Sequence, residues 1–258
     1  MMNRRRFTIA AAAGVAATLV DIPTRASSAT PVKNIVMLHG LYADGSCWSD
    51  VIVRLQASGL RVTSVQNPLT TFEDDVAAAT RALDAQDGPT VLVAHSYSGM
   101  IASQAGVHPN VVGLVFIAAR APDADENYAA LAARFPTPPA SSGLVKSGDY
   151  LMLSQSAFLN DFANGVDPVK ANVLYAVQQP NLATLSPNAR TTVAAWRTKP
   201  SWYAVSKQDR TIDPDLERFM AKRMNATTIE IDAGHLSLVS HAPEVSDLIM
   251  KATTGSSR

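Results

Sequence analysis

Segments rich in Val and Ile recur in six short stretches of the chain: "VKNIVMLHG" (32–40), "RVTSVQNP" (61–68), "TVLVAHS" (90–96), "VVGLVFIAA" (111–119), "SWYAVSKQD" (201–209) and "TTIEID" (227–232). Their length and their Val and Ile content predict strands. Between and after them, apolar positions recur at helical spacing in 48–59, 72–86, 97–107, 215–224 and 242–253. Strands that alternate with helices and are apolar on both faces predict an α/β protein with a mainly parallel sheet covered on both sides. The rhythm fails between about 121 and 199, where the Pro-rich "FPTPPASSG" precedes a long helical pattern ending in "AAWRTKP". An excursion of that length predicts a helical cap inserted before the last two strands.

The first 29 residues follow a different pattern. Arg4, Arg5 and Arg6 precede an Ala-rich apolar stretch from Ile9 to Val20, which ends near a small-residue site at Ser27 to Ala29. That order predicts an export signal, and the paired arginines predict the twin-arginine type in a bacterium. The apolar stretch is too short for a spanning helix, which needs about 20 residues. The expectation is therefore a periplasmic or secreted protein with no stable membrane span after processing. Residues 30–258 form one domain.

Composition changes this picture little. At 47% hydrophobic and 17% charged residues the chain can bury a sizeable core. The 22 basic and 22 acidic side chains balance, and removal of residues 1–29 takes away four arginines and Asp21, leaving a net charge of −3. A nucleic-acid partner, which calls for a basic face, is not expected. Cys47 is the only cysteine, so no intramolecular disulfide forms. No metalloprotease, phosphate-loop or dinucleotide motif occurs, so no metal or cofactor is expected.

The candidate chemistry starts at "VAHSYSG" (93–99), where Ser96 ends an apolar strand and opens a small-residue helix. The G-x-S-x-G turn of a nucleophilic serine is matched only in part, with Ala94 and Ser98 at the glycine positions. A serine nucleophile needs a base, and the base needs an orienting group. Of the five histidines, His235 in "DAGHLSL" follows the last strand at the carboxyl edge of the sheet, where sites of open α/β sheets gather. His39 reads as a structural hydrogen-bonder, His95 as pointing away from Ser96, His108 as a helix-end residue and His241 as a cap. Asp209 ends a strand at the same edge. Asp213 and Asp215 are explained by helix capping, and Asp232 lies only three residues before His235.

The order Ser96, Asp209, His235 is that of the α/β-hydrolase fold. Through "VMLHGLYADGSCW", "AHSYSGM", "PSWYAVSKQDRTIDPDLERFMAKR" and "GHLSLVSHAPEV", from about Val32 to Met250, the chain resembles the small serine esterases of the methylesterase and hydroxynitrile-lyase branch. The resemblance implies an oxyanion hole from the backbone N–H groups of Leu41 and Tyr97. It implies a carboxylic ester hydrolase acting on a small-molecule, largely apolar ester without a cofactor. The same three residues would also serve hydroxynitrile cleavage or perhydrolysis, and such a fold can bind a ligand without turnover. In the lyases of that branch a lysine follows the histidine, where this chain has Leu236.

Overall fold

The computed structural model describes residues 31–255; the export signal expected in residues 1–29 lies outside them. The six expected strands form as β1 (Asn34–Leu38), β2 (Arg61–Val65), β3 (Thr90–His95), β4 (Val111–Ile117), β8 (Ser201–Ser206) and β9 (Thr227–Ile231). They make one sheet in the order β2-β1-β3-β4-β8-β9, with every pairing parallel. The four inner strands are buried on both faces, which is why they read as nearly continuous apolar runs, whereas the edge strands β2 and β9 are largely exposed or half-buried. Along β1, Ile35 and Met37 enter one core while Val36 and Leu38 enter the other.

The helices divide between the faces. On one side lie α1 (Ser49–Ala57) and α9 (Ala242–Gly255), on the other α2 (Phe72–Asp84), α3 (Ser98–Ala105) and α8 (Pro214–Arg223). Local chemistry sets their starts. Thr71 caps α2 by accepting the Asp74 N–H, and Asp213 caps α8 by accepting those of Asp215 and Leu216, with Pro214 at the first helical position. Because β1 leads to α1 on one face while its neighbour β3 leads to α3 on the other, the chain leaves a crevice at the carboxyl ends of these two strands. Such a switch point is where open α/β sheets place their sites.

The excursion between β4 and β8 is not helical throughout. It holds α4 (Tyr128–Ala132), a hairpin of β5 (Leu144–Ser147) and β6 (Tyr150–Leu153), the turn α5 (Gln155–Ala157), which runs into a π-helical turn at Phe158–Phe162, then α6 (Pro168–Ala176), β7 (Asn181–Leu182) and α7 (Leu185–Asn188). Strands β5, β6 and β7 form a small antiparallel sheet. Four residues at most per strand, with β5 exposed along its whole length, leave no apolar alternation to read. Among the described residues no helix is long and apolar enough to cross a membrane.

Candidate active site

Ser96 follows the last residue of β3 with φ of 56°, a left-handed conformation that a residue with a Cβ adopts only when its surroundings impose it. Its N–H donates to the Ile117 carbonyl at 3.2 Å, and its own carbonyl accepts from Gly99 at 3.1 Å and Arg120 at 2.9 Å. These bonds hold the turn from both sides. Gly40, at the end of β1, allows the close approach of the facing loop, since a Cβ there would lie 2.6 Å from the Ser96 Cβ.

The structure brings Ser96, His235 and Asp209 into one hydrogen-bonded chain. Ser96 Oγ donates to His235 Nε2 at 2.9 Å, and His235 Nδ1 donates to Asp209 Oδ2 at 2.5 Å. The other carboxylate oxygen, Oδ1, accepts the N–H groups of Thr211 at 2.6 Å and Ile212 at 2.9 Å, which fixes the acid. All three residues are buried. Leu41 follows Gly40 in the loop facing Ser96, and Tyr97 stands at the start of α3. Neither the Leu41 nor the Tyr97 N–H meets an acceptor among the described residues.

Neighbouring groups support this chain. His95 Nε2 donates to the His235 carbonyl at 3.1 Å, with the two rings 4.6 Å apart. Burial, and then the proximity of His235, hold His95 well below its ordinary pKa, so it is a neutral spacer behind the second histidine. Ser98, at the second glycine position of the turn, donates to the His39 carbonyl and accepts from Asn67 Nδ2 at 2.9 Å. Asn67 also donates to the His39 carbonyl at 2.8 Å, and its N–H donates to His39 Nε2 at 2.9 Å. Burial lowers the His39 pKa, in keeping with a neutral ring that accepts there and donates from Nδ1 to Gly40. The loop after β1 is thereby tied to the turn that bears Ser96.

Behind Asp209 lies Glu217 on α8, wholly buried. Its Oε2 accepts the Ser206 N–H at 3.0 Å, and its Oε1 has no hydrogen-bond partner among the described residues. Burial first and the Asp209 charge second push the Glu217 carboxyl well above its ordinary range. Glu217 thus holds its proton more tightly than an ordinary carboxyl, beside the Asp209 charge.

The remaining candidates fall elsewhere. Asp213 is a helix cap, Asp232 pairs with Gln208 and Lys207, and His108 with Asp84. Cys47 is buried and burial raises its thiol pKa. Sequence reasoning passed over Glu217, Asn67 and Arg120. Arg120 alone left a visible signal, as a charge directly after an apolar strand at the carboxyl edge of the sheet. Beside the site opens a cavity of about 240 Å³, lined by Leu41, Arg120 and Thr211 and walled by Leu144, Leu151 and Leu153 of the small antiparallel sheet.

A parallel sheet with a serine, a histidine and an aspartate hydrogen-bonded in sequence at its carboxyl edge defines the α/β-hydrolase class. Residues 35–248 match the alpha/beta hydrolase family, and the chain belongs to it. Similar solved structures include polyneuridine aldehyde esterase, at 16% identity and a TM-score of 0.73 over 85% of this chain and 98% of that one. A pyrethroid hydrolase from Sphingobium faniae JZ-2 gives 19% and 0.72 over 86% and 98%, and a methylesterase from Arabidopsis 14% and 0.70 over 87% and 100%. At these identities the likeness is one of fold. A comparison with curated proteins returns no sequence match.

Proposed function

We propose that the protein is a serine hydrolase of carboxylic esters. The hydrogen-bonded chain from Ser96 through His235 to Asp209 carries the proposal. In this reading His235 Nε2 takes the Ser96 proton as Oγ attacks the ester carbonyl. Asp209 holds the imidazole in the tautomer with its Nδ1 proton and stabilises the imidazolium. The free N–H groups of Leu41 and Tyr97 receive the oxyanion, a contribution worth about 10²- to 10³-fold in rate per donor. His235 then protonates the departing alcohol, and water activated by the same ring releases the acid. No cofactor enters this scheme.

The solved relatives named as esterases and as a pyrethroid hydrolase support a small organic ester as substrate. A fluorophosphonate probe, together with p-nitrophenyl acetate and butyrate as substrates, tests the reading. Labelling at Ser96 and turnover that disappears in Ser96→Ala and falls by about 10⁴-fold in Asp209→Asn are expected. A folded protein that neither reacts with the probe nor cleaves any short ester would be a binding protein instead.

A further inference from the structure

Arg120 is the only charged side chain among the residues lining the cavity beside Ser96. Its backbone N–H is bonded to the Ser96 carbonyl, so its place at the site is fixed by the same turn that fixes the serine. The guanidinium carbon lies 4.8 Å from the centre of the Tyr128 ring and 5.8 Å from that of Tyr97, and Nη1 donates to Ser186 Oγ at 2.8 Å. The buried Nε–H has no acceptor, and Arg120 has no carboxylate partner among the described residues. An arginine keeps its charge at any working pH. Tyrosine faces and one hydroxyl offset only part of the cost of holding that charge against a wall of leucines.

An unpaired guanidinium in a substrate-sized cavity is built to receive an anion that arrives with the substrate. Resting on the ester-hydrolase reading, we propose that the preferred substrates are esters that carry a carboxylate on a short apolar spacer, and that Arg120 binds this carboxylate. A carboxylate matches the single positive charge and the planar fork of the guanidinium. A phosphate dianion would leave a net charge uncompensated among apolar side chains, which is costly. The leucines of β5 and β6 take the spacer, and Leu41 marks the side on which the scissile carbonyl lies.

The test uses matched pairs of esters that differ in charge and not in shape: the monomethyl esters of succinate, glutarate and adipate, and the neutral isosteres in which an isopropyl group replaces the carboxylate. Wild-type protein is expected to favour the half-ester of one spacer length by about tenfold or more in kcat/KM, with the gain in KM. In Arg120→Gln that ratio collapses by a similar factor, while Arg120→Lys keeps part of it. Calorimetric titration of Ser96→Ala with the same pairs reads binding without turnover, and is expected to favour the same half-ester. Preference for the neutral isostere at all three lengths, or a ratio unmoved in Arg120→Gln, overturns the inference. Should Arg120→Gln fail to fold, the wild-type ratio and the Ser96→Ala titration decide alone. Equal hydrolysis and equal binding of each pair would sink this inference and leave the hydrolase reading standing. Selective binding by Ser96→Ala with no hydrolysis by the wild type would do the reverse.

Discussion

Glu217 lies wholly buried behind Asp209, its Oε2 holding the Ser206 N–H, and the Asp209 charge adds to burial in raising its carboxyl pKa well above the ordinary value. The groups around it are Asp209 and the Ser206 N–H, with Arg218, Tyr203 and Tyr128 farther out. Its folded-state pKa lies above the ordinary 4.5, so the folded protein keeps a proton that the unfolded chain releases. Stability from this group is full below pH 4.5 and declines as pH rises towards the folded value, by at most about 1.4 kcal/mol per pH unit. In Glu217→Gln the amide oxygen can still accept from Ser206, and no proton is lost. We expect this variant to keep most of its esterase activity and to melt at or above the wild-type temperature at pH 8. Glu217→Met, which strands the Ser206 N–H, should melt lower and lose about tenfold in kcat.

A second raised carboxyl lies against Tyr97, the residue that follows Ser96. Asp75 accepts the Leu69 N–H at 2.8 Å and the Tyr97 hydroxyl at 3.0 Å, and burial pushes its pKa up to about 6 from an ordinary 3.8. The sign is the same as for Glu217. Stability should fall as pH rises from about 4 to about 6 and then level off, because above that point both states have lost the proton. Melting curves of wild type and Asp75→Asn across pH 4 to 8 check this. The difference between them should shift in favour of the variant through that window and stay constant above it. A difference independent of pH would mean that Asp75 ionises normally.

Ser98 replaces a glycine of the usual turn, and its hydroxyl ties the turn to His39 and Asn67. Ser98→Gly would restore the common motif and remove two buried hydrogen bonds. We therefore expect it to destabilise the protein, by about 1–3 kcal/mol. Chemical denaturation of the folded variant measures the loss. Ser98→Ala should likewise remain an active esterase, in contrast to Ser96→Ala. A dead Ser98→Ala beside an active Ser96→Ala would place the nucleophile two residues later.

The inner strands were legible because both of their faces are buried and their apolar signal is nearly continuous, and the edge strands β2 and β9 because of their β-branched residues. Most of them nonetheless read two or three residues too long at the carboxyl end. The excess residues are His39 and Gly40, Gln66 to Pro68, Ala118 and Ala119, and Lys207 to Asp209, which lie in the turns that carry the site. Apolar or small residues continue into those turns, and hydropathy does not register a backbone that turns left-handed at Ser96 or Ala118. Ser96, His235 and Asp209 were singled out because strand ends at one sheet edge converge whatever their separation in sequence. Glu217 was hidden for the opposite reason. In "DLERFMAKR" it reads as one more charge on a solvated helix, and only the docking of α8 against the end of β8 buries it.

Export is the least structural of the expectations, since it rests on residues 1–29. If the paired arginines are the address, replacing Arg4 and Arg5 with lysine should leave the precursor in the cytoplasm. Cell fractionation with an antibody to the protein reads the result. Undiminished mature protein outside the cytoplasm would point to another route.

Ester hydrolysis and hydroxynitrile cleavage are two reactions that the same three residues could serve, and they differ in what they ask of the group beside the leaving atom. Cyanide leaves as an anion and needs a positive charge or a proton donor beside it. The lyases that this chain resembles place a lysine directly after the histidine. Here that position is Leu236, 1% exposed and packed into the core on one face of the sheet. Leucine offers neither charge nor hydrogen bond, and an unpaired anion against an apolar wall is costly. Ester hydrolysis makes no demand on Leu236, because the departing alcohol takes its proton from His235. We expect measurable turnover of p-nitrophenyl acetate or butyrate and negligible cleavage of mandelonitrile by the same preparation. Efficient, Ser96-dependent release of cyanide with short esters left intact would reverse the assignment, and Leu236→Lys should then raise that activity further.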